Sequence, residues 1–262
     1  MERAKKLGAW PSNRHDARLL IPKFMVRAFL LFTVVGALAI ASASAAENEL
    51  TPEEKKAGWK LLFDGETTKG WRSFKKETFP EKGWIVKDGE LQLQPRSRAG
   101  DIITTEKFSD FDLTWEWKLP KGANNGLKYF ILEERGGAIG HEYQMLDDKG
   151  KRTAGTEDGT ASFYEVLAPD SIPALKPAGE WNHSRVLVQG NHVEHWLNGR
   201  KVLEYELGSE HVLKAVQDSK FKDVPGFGEK QNGHILLTYH NDPVSYRNIK
   251  IRRLSGSPSA AK

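Results

Sequence analysis

The sequence predicts an all-β protein: a β-sandwich of the jelly-roll kind, forming a single domain behind an N-terminal leader. Three observations carry this expectation. Short aromatic and β-branched runs recur along the chain, bounded by Gly, Asn and Asp. Two pairs of these runs are joined by two-residue Asp-Gly or Asn-Gly turns, whose twist matches that of paired strands. A sustained 3.6-residue apolar period is hard to find.

In chain order, Thr51-Pro52-Glu53-Glu54 opening toward Ala57 is a short helical candidate. Trp84–Lys87 and Glu90–Leu93 flank Asp88-Gly89 as a hairpin on a type I′ turn, and His195–Leu197 with Arg200–Leu203 repeats the device around Asn198-Gly199. Further strands are expected at Phe111–Leu119, Gly126–Leu132, His141–Leu146, Ser162–Val166, Ser184–Gln189, His234–Tyr239 and Tyr246–Ile251. Ten or more strands over about 200 residues favour a sandwich, with a closed barrel as the weaker alternative. The stretches Lys149–Gly159, Pro169–Gly179 and Gly208–Gly233 read as loops rich in Gly, Pro or charge, where function concentrates.

Composition removes whole classes of function. The absence of cysteine excludes a disulfide scaffold, a cysteine nucleophile, thiolate zinc ligation and a lipidated cysteine anchor. Eight Trp and twelve Phe in 262 residues demand a core and exclude a disordered chain. Residues 1–45 hold seven of the 39 basic and two of the 35 acidic residues, which leaves 32 against 33 in the rest. The basic pI therefore belongs to the leader, and the body offers no nucleic-acid surface. In that leader, Arg27 precedes the apolar run Ala28–Ile40 and small residues follow through Ala46, the pattern of a secretory signal peptide. The run is short for a membrane span, so no stable span is expected. Met25 would serve as the true start of such a peptide, and the mature chain begins near Glu47 and works in the periplasm or outside the cell. Residues 47–57 form a short N-terminal segment, 58–253 the sandwich and 254–262 a flexible tail.

No nucleotide loop, serine-hydrolase elbow or zinc-protease motif is present. The candidates are polar residues planted inside strands. In His141–Asp148, Glu142 and Gln144 share one face of a strand, while His141, Tyr143, Met145 and Asp147 share the other. Asn124–Phe130 places Lys128 and Phe130 on one face, and a cationic Lys128 could stabilise an enolate. His192 and Glu194 face opposite to His195, an acid–base candidate beside its turn. His234 and His240 bracket the strand Ile235–Tyr239, and Arg247 could clamp a substrate or simply pair with a carboxylate. Trp59, Trp71, Trp84, Trp115, Trp117, Trp181 and Trp196 suit both core packing and sugar stacking, with Trp115 and Trp117 able to form a platform. Asp147, Asp148, Glu157 and Asp158 could offer oxygens to calcium, although the EF-hand spacing is missing.

Taken together, Gly58–Thr67 with Gly70-Trp71, then Trp84–Leu91, Phe108–Trp117, Asn125–Phe130, Glu142–Asp148, Gly179–Asn182, Glu194–Gly199 and Arg247–Ile251, resemble in order the DUF1080 family of 3-keto-disaccharide hydrolase domains. The resemblance implies a concanavalin-like jelly roll related to lectins and glucanases. It implies a substrate already oxidised at C3 of a sugar ring, a 3-keto-glycoside made by a separate NAD-dependent oxidoreductase. On this resemblance and the strand faces, Glu142 and His195 are the expected acid and base. Lys128, Gln144, Arg247 and Asn125 are expected to hold substrate oxygens, with His240 and Asp147 in second rank. No cofactor is certain; a divalent metal near the enolate oxygen is conceivable chemistry. The alternative is a non-catalytic, lectin-like carbohydrate-binding module on the same fold.

Overall fold

In the computed structural model, described over residues 47–149 and 151–255, thirteen strands and two helices follow one another. The expected signal peptide, the Met25 start and most of the C-terminal tail lie outside the described residues. Helix α1 (Pro52–Lys56) is short and closed by a capping box, with Thr51 accepting from Glu54 N–H and the Glu54 carboxylate accepting from Thr51 N–H. The strands are β1 (Trp59–Leu61), β2 (Trp71–Ser73), β3 (Trp84–Lys87), β4 (Glu90–Leu93), β5 (Ile102–Thr104), β6 (Phe111–Lys118), β7 (Asn124–Ile131), β8 (His141–Leu146), β9 (Asn182–Gln189), β10 (His192–Leu197), β11 (Arg200–Glu206), β12 (His234–Leu237) and β13 (Val244–Arg253).

They form two antiparallel sheets. The larger has eight strands in the order β11-β10-β9-β6-β13-β4-β3, with β1 added against β13. The smaller has five, ordered β2-β5-β12-β7-β8. The two short hairpins are as the sequence predicts: Asp88-Gly89 and Asn198-Gly199 both hold positive φ at each central residue, the signature of type I′ turns. Between the sheets lies an aromatic core in which Trp115, Trp117, Tyr129, Tyr143 and Tyr246 are fully buried. Trp115 meets Tyr143 edge to face across the sandwich, with centroids 4.9 Å apart. Trp115 and Trp117 are therefore core residues and form no exposed platform.

Three expectations are corrected. The stretch Gly208–Gly233, read as loop, contains helix α2 (Glu210–Asp218), N-capped by Ser209 and anchored through Val212 and Val216 on one face. Its buried pair, Val212 and Val216, spans about one turn, too brief to show as periodicity. Ser162–Val166 is not a strand; only bridges from Phe163 to Tyr143 and Leu167 remain, because Ala161 and Glu165 hold left-handed φ of 67° and 60°. Phe130 does not share a face with Lys128. With φ of 60° it bulges out of register, the pairing of β7 with β12 shifts between His234 and Leu236, and its ring turns into the core beside Phe111.

Candidate active site

Glu142 and Gln144 leave the outer face of the small sheet while His141, Tyr143 and Met145 enter the core, so the alternation read from the sequence holds along β8. β8 is the last strand of its sheet, yet Glu142 is only 5% exposed. The cover comes from residues 160–164, which lie along the free edge. Ala161 N–H donates to Gln144 O at 2.8 Å, Tyr164 N–H to Glu142 O at 3.0 Å, and Thr160 Oγ1 bonds both Leu146 N and Leu146 O. Covering an edge this way also blocks strand addition.

On β7, Lys128 stands opposite Glu142 and Gly126 opposite Gln144. Lys128 Nζ lies 3.5 Å from Glu142 Oε2 and donates to Ala138 O at 3.3 Å. Gly126 makes room for the carboxylate, since a Cβ at that position would overlap Glu142 Oε1. A glycine inside a strand often marks such a close approach. Burial raises the pKa of Glu142, and the charges of Lys128, His240 and Lys220 oppose that rise. Lys220, just beyond α2, is fixed by the Glu165 carboxylate at 2.8 Å and by the Tyr164 ring, whose centroid is 4.2 Å away. The result is a nearly dry carboxyl beside a lysine, with burial favouring its protonated form and a cation placed for a neighbouring oxyanion.

The other residues singled out in the sequence separate. His240, just past β12, is exposed and within electrostatic reach of Glu142. His195 is not in the site. Its ring is fully buried between the sheets, with Nδ1 bonded to Ala161 O at 3.0 Å and Nε2 to Tyr129 OH at 3.0 Å. A carbonyl can only accept, so Nδ1 carries the proton and Nε2 accepts from the tyrosine. Burial pushes this histidine down to about 4, which keeps it neutral. Asn125 is likewise interior, its side-chain oxygen accepting from Tyr246 OH at 2.7 Å and Thr238 Oγ1 at 3.0 Å. Arg247 lies on the outer face of the larger sheet, paired with Glu116 at 2.6 Å and Glu47, and stacked 4.2 Å from Trp181. Asp147 is occupied in a turn, accepting from Gly122 N–H at 2.7 Å and pairing with Lys151.

Among the described residues, the expected calcium ligands do not gather. Asp148 instead binds Thr160 through N–H and Oγ1. His192, Glu194 and Glu204 do bring ligand atoms within 4.8 Å of one another, on the outer face of the larger sheet. Lys201 already pairs with both of those carboxylates, so this donor set does not suit a resident cation. Sequence reading gave no role to Gly126, Tyr164 or Lys220. A glycine in the middle of a strand was the available signal for the first, whereas nothing local marks the other two.

Comparison with known proteins agrees with this architecture. Residues 58–252 match the family described as the 3-keto-alpha-glucoside-1,2-lyase-like domain. A 3-keto-disaccharide hydrolase of Bacteroides thetaiotaomicron is 32% identical over 230 residues, which are 75% of this chain and 79% of that one. A solved glycosyl hydrolase candidate from Parabacteroides distasonis superposes with a TM-score of 0.72 at 32% identity, covering 80% of this chain and all of the other. A second solved protein of that organism shares the fold at a TM-score of 0.59 and 23% identity, over 75% of this chain and 99% of the other. The chain therefore belongs to the 3-keto-alpha-glucoside-1,2-lyase-like (DUF1080) family, and its homology is to a carbohydrate hydrolase.

Proposed function

We propose that this protein is exported and cleaves 3-keto-glycosides on the outer face of its smaller sheet, with Glu142 as the base. The observation that supports this most directly is the buried Glu142 carboxyl, raised in pKa and 3.5 Å from Lys128. A C3 ketone acidifies the hydrogen on C2. Glu142 takes that proton, and the electron pair moves into an enolate whose oxygen lies toward Lys128. The enolate then expels the aglycone from C1, and the C1–O bond breaks by β-elimination. The leaving oxygen takes a proton from His240, the imidazole within electrostatic reach of Glu142. Water gives one proton back to His240 as its oxygen adds to C1 of the resulting enone, and Glu142 returns its proton to C2, so the net change is hydrolysis. Ordinary glycosidases instead place two carboxylates across an oxocarbenium-like centre. Here one carboxyl and a lysine suit an enolate. In this reading a separate oxidoreductase supplies the ketone, which fits a chain without a nucleotide-binding motif. Export follows from the signal-peptide pattern of the leader.

The test uses protein beginning at Glu47, given a 3-keto-disaccharide or its unoxidised parent, each with and without a chelator. Release of free sugar from the keto form alone is expected. Cleavage of the parent would point to a conventional glycosidase, and saturable binding without turnover to a lectin-like module. The variant Glu142→Gln is expected to bind the keto substrate and fail to turn it over.

A further inference from the structure

The outer face of the larger sheet carries a cleft of about 330 Å³ that the chemistry proposed above does not use. Its floor is β6, where Thr114 and Glu116 alternate with the buried Leu113, Trp115 and Trp117 and so point away from the core. The strand registers set Thr114 between Lys250 on β13 and Arg185 on β9, and Glu116 between Arg247 and His183. The facing wall comes from α1 and β1, which contribute Glu54 and Trp59.

That wall is fastened to the sheet along its length. Glu47 pairs with Arg247, and Lys250 Nζ donates to both oxygens of Glu54 at 2.9 Å. Between these ion pairs, Asn48 N–H donates to Asn248 Oδ1 at 2.6 Å and Asn248 N–H donates to Asn48 Oδ1 at 2.8 Å. Asn248 has φ of 52° and sits where the pairing of β13 with β6 slips, between Arg247 and Lys250. A bulge of this kind re-aims a side chain, and asparagine tolerates the left-handed backbone it needs. Residues 47–57 lie outside the part of the chain that matches the family, so the match does not account for this wall.

What the cleft offers is a balanced set of donors and acceptors with its charges already answered. Glu54 neutralises Lys250, and Glu116 gives one oxygen to Arg247. Among the described residues, Glu116 Oε1, the Thr114 hydroxyl, the Asn248 amide nitrogen and both His183 ring nitrogens bond to no other group. Desolvation lowers the pKa of His183 against the pull of Glu116, so its imidazole is neutral and presents one donor and one acceptor. Trp59 adds an indole with the Arg252 guanidinium 5.2 Å from its ring centre, an aromatic surface beside the polar groups. A neutral sugar presents hydroxyls that both donate and accept, next to apolar C–H patches, and matches this set. We propose that the cleft is a second carbohydrate site, which binds a neutral mono- or disaccharide on the larger sheet. The inference does not rest on the chemistry at Glu142, which belongs to the other sheet.

Calorimetric titration of unoxidised cellobiose, maltose and lactose into protein beginning at Glu47 tests this without requiring turnover. At least one is expected to bind saturably, with an affinity that added salt leaves unchanged within about twofold, because no net charge is engaged. Trp59→Ala and His183→Ala should each weaken that binding about tenfold. Thr114→Val keeps the shape of the floor and removes one hydroxyl, so it should weaken binding roughly threefold to tenfold and serves even if Trp59→Ala fails to fold. Glu142→Gln should keep the binding, and the three cleft variants should keep their turnover of a 3-keto-disaccharide. Equal unfolding midpoints verify that the compared proteins are folded. Saturable binding of none of the three sugars overturns the site, as does binding that survives His183→Ala and Thr114→Val unchanged. Binding lost in Glu142→Gln alone also overturns it, since the sugar would then sit on the smaller sheet. Failure of keto-disaccharide cleavage with the cleft binding intact would overturn the catalytic reading alone.

Discussion

On the outer face of the larger sheet, charge is matched with charge. Asp112 is buried between two arginines, Arg185 at 2.6 Å and Arg252 at 3.0 Å, Lys250 takes both oxygens of Glu54, and Glu116 holds Arg247. On the outer face of the smaller sheet, Glu142 is buried almost as deeply as Asp112, yet its nearest cation stands 3.5 Å away. The two carboxyls differ in consequence: burial raises Glu142, whereas Asp112 has two guanidinium partners at hydrogen-bonding distance. Full pairing consumes a charge in structure. A buried carboxyl left short of partners is held more readily in its protonated form, a shift that favours general acid–base chemistry.

The sharpest way to break this contrast is Glu142→Gln. Turnover of a 3-keto-disaccharide should fall about 10³-fold, within the range that positioned proton transfer contributes. The same variant should be more stable than the wild type at high pH. A carboxyl whose folded pKa is raised contributes stability at low pH and loses it as pH rises through that pKa, and Gln has no such loss. Full turnover in this variant would remove Glu142 from the chemistry.

His195 provides the next largest effect, and it is one of stability. Its folded pKa of about 4 lies below the ordinary 6.5, so its contribution is complete above 6.5 and disappears as pH falls toward 4. Unfolding titrations should show on the order of 3 kcal/mol lost across that window through this group. His195→Gln should flatten the slope and leave turnover of the folded protein within a few-fold. A large drop in its kcat would place the interior histidine in the mechanism.

Gly126→Ala probes the cradle. The added methyl must displace the Glu142 carboxylate, and a misplacement of about 1 Å costs about 10² in rate. Kinetics of this variant with an unchanged unfolding midpoint would isolate positioning from folding. Smallest is Asp112→Ala on the paired face, which should cost about 2 kcal/mol in stability because it strands two arginines. Thermal unfolding should then fall by several degrees with kcat unaffected; a fall in kcat would mean the two faces are coupled.

Much of the fold was legible because its signals are local. Asp88-Gly89 and Asn198-Gly199 accept positive φ and so specify their hairpins without help from the rest of the chain. The bounds of β8, His141–Leu146, were likewise readable from one short run. The short strands β1, β2 and β5 were not, since three residues are too few to show alternation. Of the candidate site, Lys128, Glu142 and Gln144 come together because neighbouring strands bring them into register, and His240 arrives at the end of β12. Asn125 and Arg247 go elsewhere, one into the core and one to the opposite face.

The sequence by itself determined which residues share a face along a regular strand such as β8, though not at the Phe130 bulge, because the period of two is a property of the extended backbone. It determined the hairpin turns, the sandwich class and, through its ordered blocks, the family. Which face turns inward was decided only by the tertiary structure. His195 and Glu142 are both polar residues within strands, but β10 turns His195 into the core with Val193 and Leu197, and β8 turns Glu142 away from it. Burial of Glu142 then depends on residues 160–164 folding back along β8, and its charge balance on Lys220 from beyond α2. Desolvation and Coulomb forces act through space, so the raised pKa of Glu142 exists only once those distant segments have closed around it.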